Sequence, residues 1–359
     1  MNGGQVFLMA GGGTGGHVIP ALAVARELRR RGHEPVFVGS RTGIEAKLVP
    51  AEGFAIEWIV IGGLKRVGLR KTLRTLWQLP ASVGRVRGLI RRRRPGAVFS
   101  MGGYVAGPVV LAAILSGVPV IAMEPNAMPG MTNRKIGRFL ARTLICFPEA
   151  ARYFPAGKTE VTGLPVRAEF FAIPPKSREG KLTVLITGGS QGSRTLNQAA
   201  RDSWGRFRQA GVAVRFIHQT GQRDWDELRA AFAQAGLDGE LVPFIDDMPK
   251  AFAAADLVVC RAGAGAVAEL AAAGKPALLV PYPFAADDHQ RKNAEAFERA
   301  GAAKVVLDQE LNGERLFVVT SELAADPGRL ERMADAARSL ARPGAAERAA
   351  DLLEEYARA

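Results

Sequence analysis

A glycine-rich stretch near the start of the chain has the residue types that bind an anion. Residues 10–17 read AGGGTGGH, with five glycines in the six positions 11–16. The pattern predicts an apolar strand over 6–10 before this stretch and a helix over 20–31 after it. Glycines let backbone amides approach an anion closely, and the positive end of a helix attracts it. We therefore predict a phosphate or diphosphate site here.

The loop does not fit every class of nucleotide site. A P-loop needs Gly-Lys-Ser/Thr, and this chain has His17 after the last glycine. An NAD site needs an acidic residue near the end of the second strand, which we predict over 36–39, but Ser40 and Arg41 follow it. Arg41 could bind the 2′-phosphate of NADP. Two alternatives therefore remain: an NADP-dependent oxidoreductase and a nucleotide-sugar transferase.

Three more glycine-rich loops follow predicted strands: GGYVAGP at 102–108, GGSQG at 188–192 and RAGAGAVAE at 261–269. The loop at 188 begins about half a chain after the first and lies between a predicted strand, 182–187, and a predicted helix, 195–209. Alternating strands and helices indicate an α/β fold with parallel sheets. The repeat predicts two Rossmann-like halves, with their boundary near 162–181.

Composition excludes several other classes of protein. Apolar residues make up 48% of the 359 residues and charged residues 23%, which are globular values. The two cysteines, Cys146 and Cys260, are too few for a disulfide scaffold or a cysteine-based zinc site and fit a reducing compartment. The first residues do not resemble a secretory signal. Residues 95–123 carry no charge, but their glycines and prolines favour a strand, a loop, a buried helix and a second strand over a membrane span.

The net charge of +13 comes mainly from one segment. Residues 62–94 hold eleven basic side chains and no acidic one. Leucines at helical spacing beside Trp77 and basic residues suit an anionic membrane interface. A nucleic-acid surface and a solvated helix face are the alternatives. The predicted membrane residues are Lys65, Arg66, Leu69, Arg70, Lys71, Leu73, Arg74, Leu76 and Trp77.

Five motifs in this order resemble those of the MurG transferase family and cover nearly the whole chain. They are GGGTGGH, GGY-x-x-GP, GGSQG, the R-x-G run that ends at Glu269, and DHQ-x-x-NA at 288–294. The resemblance implies a GT-B fold, with two Rossmann-like domains whose parallel sheets face a central cleft. The implied parts are an acceptor and membrane domain (1–163), a UDP-GlcNAc domain (164–343) and a C-terminal helix (344–359) that packs on the first domain.

The same resemblance implies an inverting transfer of GlcNAc from UDP-GlcNAc to the 4-hydroxyl of undecaprenyl-diphosphate-MurNAc-pentapeptide, in peptidoglycan synthesis. The implied contacts to the acceptor diphosphate are Gly12, Gly13, Gly102, Gly103 and Tyr104. The implied contacts to UDP-GlcNAc include Ile245 at uracil and Glu269 at ribose. The whole implied set is Thr14, Gly15, Gly16, Asn126, Arg167, Ser190, Ile245, Ala264, Gly265, Ala266, Val267, Ala268, Glu269 and Gln290.

This chain departs from the family pattern at two places. Residues 123–126 read MEPN where the family commonly has HEQN, so Met123 and Pro125 replace polar side chains. Leu164 stands where the family usually has asparagine.

The reaction needs a base for the acceptor hydroxyl and positive groups for the leaving diphosphate. His17 is the first candidate base because histidine titrates near working pH, and Glu124 competes with it. Asp224 and Asp226 form a D-x-D string, but they lie at a predicted helix start, where acidic residues suit the dipole. We predict no metal, no cofactor and no nucleic-acid partner. The lipid-linked acceptor favours an anionic membrane as the partner of the basic segment, at the cytoplasmic face.

Overall fold

The computed structural model describes residues 4–61, 69–177 and 180–357, with the backbone alone over 69–77. The chain divides into two compact units. Unit one comprises Met1–Pro165 and Gly344–Ala359, and unit two comprises Val166–Pro343.

Unit one contains a seven-stranded parallel sheet. Its strands are β1 (Val6–Gly11), β2 (Glu34–Gly39), β3 (Ala55–Trp58), β4 (Ala97–Gly102), β5 (Val120–Glu124), β6 (Arg142–Ile145) and β7 (Thr159–Val161). They lie in the order β3-β2-β1-β4-β5-β6-β7. Its helices are α1 (Gly15–Arg30), α2 (Glu45–Ala51), α3 (Leu69–Arg93), α4 (Gly103–Leu115) and α5 (Met131–Ile136). Apolar side chains of the strands and of α3 and α4 form one buried cluster.

Unit two contains a six-stranded parallel sheet. Its strands are β8 (Leu182–Thr187), β9 (Val214–Gln219), β10 (Asp238–Val242), β11 (Leu257–Cys260), β12 (Ala277–Leu279) and β13 (Ala303–Val305). They lie in the order β10-β9-β8-β11-β12-β13. The helices from Val166 onward are α6 (Ala168–Phe171), α7 (Arg194–Gln209), α8 (Trp225–Ala235), α9 (Met248–Ala254), α10 (Ala264–Ala273), α11 (His289–Arg299), α12 (Gly313–Ala325), α13 (Pro327–Ser339) and, in unit one again, α14 (Ala345–Tyr356).

In each sheet the strand order reverses once, as it does in Rossmann sheets. In unit one the strands follow in chain order outward from β1 on one side and from β4 on the other, and in unit two outward from β8 and from β11. In such sheets ligands bind beyond the carboxyl ends of the strands at this switch point. The four glycine-rich loops follow β1, β4, β8 and β11, so each unit places two of them at its own switch point. The prediction of two Rossmann-like halves is confirmed.

Helix α14 packs against α1 within unit one. Leu352 and Leu353 are fully buried. Ion pairs hold its polar side, because Arg31 contacts Asp351 at 2.7 Å and Glu354 at 2.8 Å. The last helix of the sequence therefore completes the first compact unit.

Two local predictions had different outcomes. Residues 95–123 form β4, α4 and β5, as the glycine and proline spacing indicated. No helix in the described ranges is both long and apolar enough to cross a membrane. The helix predicted over 20–31 was wrong at its start, since α1 begins at Gly15 and includes Pro20. Glycines have low helix propensity and proline favours the first helical turn, so the local pattern hid the true start.

Candidate active site

The first glycine-rich loop, residues 10–17, lies at the switch point of unit one, against the loop that follows β4. Gly13 has φ +90°, and a Cβ atom there would lie 2.7 Å from the Tyr104 ring. Only glycine fits such a backbone at so close an approach. The structure thus brings together the predicted acceptor contacts Gly12, Gly13, Gly102, Gly103 and Tyr104.

His17 lies in the first turn of α1, between these two loops. Thr14 Oγ1 is 3.1 Å from His17 Nδ1. A Cβ atom on Gly103 would come within 3.4 Å of the same nitrogen, so the ring faces the second loop at close range. The imidazole is half-buried, which leaves it accessible to a substrate while its orientation is fixed. This geometry suits a group that exchanges a proton with a bound ligand.

The start of α1 has the features of an anion site. Thr14 is the N-cap residue, yet its side chain contacts His17 and does not cap the helix. The first amides of a helix have no intrahelical partner. The amides of Gly15 and Gly16 therefore point out of the first turn toward the loop, with the positive end of the helix behind them.

Glu45, which the sequence did not single out, is tied to the same loop. It opens α2, is 1% exposed, and its Oε2 accepts a hydrogen bond from the Gly13 amide at 2.8 Å. One of the loop amides predicted to bind an anion is thus bonded to a carboxylate of the protein. A glutamate at a helix start ordinarily complements the dipole, so its sequence position gave no signal of this role.

Glu124 ends β5 in a closed set of hydrogen bonds. Its carboxylate accepts from the backbone and side-chain amides of Asn126 at 3.1 and 3.2 Å, the Gly130 amide at 3.1 Å and Asn133 Nδ2 at 2.8 Å. Burial raises the pKa of Glu124, against the lowering effect of these bonds. The carboxylate is 1% exposed and its oxygens are occupied, so this arrangement holds the 125–130 loop in place.

The two departures from the family pattern fall at buried positions. Met123 and Leu164 are 0% and 4% exposed, and Pro125 is also buried. Apolar side chains at these positions cost no unpaired polar group.

In unit two, the GGSQG loop is packed as tightly as the first. A Cβ atom on Gly192 would overlap the carbonyl of Thr220, so no other residue fits. Gln219 Nε2 donates to the Gly189 carbonyl at 2.8 Å, and Gln219 Oε1 accepts from the Ile245 amide at 2.8 Å. The Gln219 side chain therefore links the loop that carries the exposed Ser190 to the backbone of Ile245, and both residues are predicted nucleotide contacts.

The loop after β11 is anchored by Arg261. The Arg261 guanidinium donates to Ser193 Oγ at 2.7 Å and to Asp308 Oδ1 at 2.5 Å. Asn293, fully buried on α11, donates to the Ala262 carbonyl at 3.1 Å. These bonds fix the start of α10, which carries the predicted sugar contacts Ala264, Gly265, Ala266, Val267 and Ala268, next to α11, which carries Gln290. Gln290 Oε1 accepts from the Tyr282 amide at 3.0 Å.

Glu269 lies on α10 with an unusual electrostatic setting. Burial raises the pKa of Glu269 to about 7, while the positive charge of Arg167 acts in the opposite direction. The structure thereby brings Glu269 and Arg167, two predicted nucleotide contacts, into electrostatic range. A carboxylate that is poorly solvated in the free protein gains from hydroxyl donors on a ligand.

Asp224, the first residue of the D-x-D string, is hydrogen-bonded to side chains of the protein. Asp224 Oδ2 accepts from Asn197 Nδ2 at 2.8 Å and Oδ1 accepts from Arg223 at 2.9 Å. The Arg223 hydrogen bond lowers the pKa of Asp224. Among the residues that the structure describes, no group of three or more metal-binding side chains comes together. The absence of a metal requirement stays a prediction.

Two remaining histidines have structural partners in unit two. His218 is buried against Asn197 Oδ1 at 3.0 Å, and burial lowers the pKa of His218 to about 3. His289 Nδ1 lies 2.6 Å from the Ala286 carbonyl at the start of α11.

Arg41 is the residue on which the alternative of an NADP-dependent oxidoreductase rested. In unit one its guanidinium lies over the Trp58 ring, 5.0 Å from the ring centroid.

Two Rossmann sheets in one chain, each with glycine loops at its switch point, have the architecture of the GT-B fold. The chain belongs to glycosyltransferase family 28: the N-terminal domain of that family matches residues 7–145 and its C-terminal domain matches residues 183–355. It is therefore a glycosyltransferase with the GT-B fold, and the oxidoreductase alternative is wrong.

Similar proteins carry one shared name, UDP-N-acetylglucosamine–N-acetylmuramyl-(pentapeptide) pyrophosphoryl-undecaprenol N-acetylglucosamine transferase. The protein of that name from Solibacter usitatus is 62% identical over 98% of this chain and 96% of its own. The one from Halorhodospira halophila is 46% identical over 98% and 99%. The crystal structure of Acinetobacter baumannii MurG matches with a TM-score of 0.84 and 34% identity, over 98% and 99% of the two chains.

Proposed function

We propose that this protein transfers N-acetylglucosamine from UDP-N-acetylglucosamine to N-acetylmuramyl-(pentapeptide) pyrophosphoryl-undecaprenol, the lipid-linked acceptor, as a step of peptidoglycan synthesis. The observation that carries the proposal is the 62% identity to a transferase of that name over 98% of the chain. The glycine loops, Glu269 and His17 supply groups of the chemical types that the two substrates need. UDP-GlcNAc and the lipid-linked acceptor are the proposed partners.

We assign the donor to unit two. The Glu269 carboxylate accepts hydrogen bonds from the ribose hydroxyls, and Ile245 meets uracil through its backbone. Because Gln219 already accepts from the Ile245 amide, a uracil that used this amide would have to share or displace that bond. Ser190, Arg167 and the first turn of α7 offer donors to the diphosphate. The roles of Asn126, Thr14, Gly15 and Gly16 toward the donor sugar stay predictions.

We assign the acceptor diphosphate to the two glycine loops of unit one. The α1 amides and the helix dipole favour negative charge there. In the reaction, the 4-hydroxyl oxygen of the muramyl sugar bonds to the anomeric carbon as the bond from that carbon to the UDP oxygen breaks. The electron pair leaves with UDP, and the hydroxyl proton goes to His17. Attack opposite the leaving group inverts the anomeric configuration.

We favour His17 over Glu124 as the base because of their surroundings. His17 is half-buried beside the loops, whereas the Glu124 carboxylate is enclosed by donors from Asn126, Gly130 and Asn133. A base must reach the proton it removes, directly or through one water. Glu124 acts in this proposal as a residue that positions the loop carrying Asn126.

Acceptor-dependent release of UDP tests the transfer. With purified protein and UDP-GlcNAc, UDP should appear when the lipid-linked acceptor is added and stop when the acceptor is used up. UDP-glucose or UDP-galactose should support much slower release. Equal rates with all three nucleotides, or release that ignores the acceptor, would contradict the proposed substrates.

We further propose that unit one docks peripherally on the cytoplasmic face of the bacterial membrane, through the basic segment 62–94. Of the predicted membrane residues, Lys65 and Arg66 lie outside the described residues, and for Leu69 to Trp77 only the helical backbone is described. The later part of α3 supports the proposal in part. Val83, Val86, Leu89 and Ile90 face the core, while Arg85, Arg91 and Arg92 are exposed.

Two exposed leucines on α4 also support a membrane contact by unit one. Leu111 and Leu115, one turn apart on α4, are 39% and 56% exposed. Helix α4 packs against α3 within unit one. Exposed leucines on one helix and exposed arginines on the helix packed against it are residue types that fit the interface of an anionic bilayer, where each basic side chain contributes about 1 kcal/mol.

Co-sedimentation with vesicles should therefore depend on lipid charge. Binding should be at least tenfold tighter to vesicles with anionic phosphatidylglycerol than to neutral ones and should weaken with salt. The double variant Arg70→Glu/Arg74→Glu should lose most of this preference. Arg206→Glu/Arg208→Glu, an equal charge change at exposed positions of unit two, should keep it. Equal binding to neutral and anionic vesicles would refute the electrostatic part.

A further inference from the structure

A chain of hydrogen bonds runs from a buried carboxylate to the predicted acceptor contact Tyr104. Glu45 Oε1 accepts from the Ser40 amide and from Ser40 Oγ, both at 3.0 Å. Ser40 Oγ lies 2.8 Å from the Tyr104 hydroxyl. Ser40 is 3% exposed and Glu45 is 1% exposed, so water does not compete for the bonds between these two residues.

Counting protons fixes the direction of this chain. A serine hydroxyl has one proton to donate, and a carboxylate only accepts. The proton of Ser40 therefore goes to Glu45, because two acceptor oxygens would otherwise face each other at 3.0 Å in a buried place. The 2.8 Å contact must then be donated by Tyr104, with the Ser40 oxygen as its acceptor. The phenol has only one proton, so its oxygen can offer nothing but lone pairs to a ligand.

We infer that Glu45, acting through Ser40, turns Tyr104 into a hydrogen-bond acceptor that recognises a hydroxyl or amide N–H of the acceptor substrate and not a phosphate oxygen. The inference rests on the proposed function for the identity of the substrate. It changes the role expected for Tyr104, which had been grouped with the diphosphate contacts. Ser40 and Glu45 are positioning residues, since Ser40 contacts the Tyr104 hydroxyl and Glu45 contacts Ser40.

The surroundings of Tyr104 agree with this role. The tyrosine is half-buried, and its ring lies against Gly13, so its hydroxyl is held in one place. The same Glu45 carboxylate accepts from the Gly13 amide through its other oxygen. One buried acid thus removes a backbone donor and a phenol donor from the loop. The sugar and peptide of the proposed acceptor carry hydroxyl and amide N–H groups that a lone pair can bind.

The direction in which one substitution changes the KM for the lipid-linked acceptor tests the inference. Ser40→Ala leaves Glu45 with both backbone amides but frees the phenol proton of Tyr104. If Tyr104 accepts from the substrate, the KM for the lipid-linked acceptor should rise about three- to tenfold, the effect of one well-oriented neutral hydrogen bond. The KM for UDP-GlcNAc should not change. An unchanged or lower acceptor KM would show that the contact with Ser40 does not set the hydrogen-bonding role of Tyr104, and would overturn the inference.

A double-mutant cycle separates this role from a merely structural one. Tyr104→Phe should raise the acceptor KM by a similar factor, and Ser40→Ala should add nothing in that background. The same loss from Ser40→Ala in both backgrounds would mean that it loosens the loop and would also overturn the inference. Thr42→Ala is the matched control, because it removes only the 3.4 Å contact between Thr42 Oγ1 and Ser40 Oγ and leaves the bonds of Ser40 to Glu45 and Tyr104, so its kinetics should match wild type. If wild-type protein showed no transfer, the proposed function would fail instead.

Discussion

Replacing His17 with alanine should lower kcat at least tenfold while UDP-GlcNAc still binds. Removing a positioned general base typically costs about 10²–10⁴-fold in rate. His17 lies in unit one beside the acceptor loops, whereas the donor contacts of unit two are untouched, so the KM for UDP-GlcNAc should stay within about twofold. Steady-state kinetics with both substrates varied give the two constants separately.

The glutamine variant at the same position distinguishes proton transfer from packing. His17→Gln keeps a polar side chain that can reach Thr14 Oγ1 but cannot take up a proton at neutral pH. It should be as slow as the alanine variant. Turnover near the wild-type value in the alanine variant would remove His17 from the mechanism. Recovery in glutamine alone would assign it a hydrogen-bonding role.

Replacing Glu269 with glutamine should raise the KM for UDP-GlcNAc about ten- to hundredfold. Hydrogen bonds to a charged group contribute about 1.5–3 kcal/mol, and the amide offers only one weaker acceptor oxygen. The interaction is made to the nucleotide, away from the reacting bond, so kcat should change much less. Glu322→Gln, at an exposed position on α12, is the control and should behave as wild type.

The same residue predicts a pH dependence with a definite sign. Burial raises the pKa of Glu269 to about 7 in the free protein, so near pH 7 about half of the molecules carry it protonated. Ribose hydroxyls bind the ionised form better, and protons therefore compete with the donor. The KM for UDP-GlcNAc should rise as pH falls below 7 and level off above it. Glu269→Gln should abolish this dependence, and a dependence that survives in the variant would assign it to another group.

The sequence predicted most where the local signal and the final fold agree. Strand β8 was predicted over 182–187 and lies there, because a short apolar run that ends at a glycine loop favours a buried strand of a parallel sheet. The repeated strand–glycine–helix pattern likewise predicted the two Rossmann-like halves. At α1 the local signal and the fold disagree. The helix begins at Gly15, within the glycine-rich loop, where helix propensity is low.

The interactions that tune the site were not visible in the sequence. Glu45 reaches Gly13, 32 residues away, and acts on Tyr104 through Ser40, so only the folded chain brings the four residues together. From the sequence, His17 is the first candidate base and Glu124 competes with it. The four donors to Glu124 come from the turn and helix that follow β5, and they are the reason that we favour His17 as the base. Residue type thus predicts which groups could do the chemistry, and tertiary contacts support the proposed roles.

The structure of the reaction product tests the central claim most directly. Protein incubated with UDP-GlcNAc and the lipid-linked acceptor should yield a product heavier by one N-acetylglucosamine, with the new bond at the 4-oxygen of the muramyl sugar in the β configuration. NMR of the purified disaccharide, together with its mass, reads the linkage and the configuration. An α linkage would contradict the inverting displacement, and the absence of any product carrying the added sugar would contradict the proposed transfer itself.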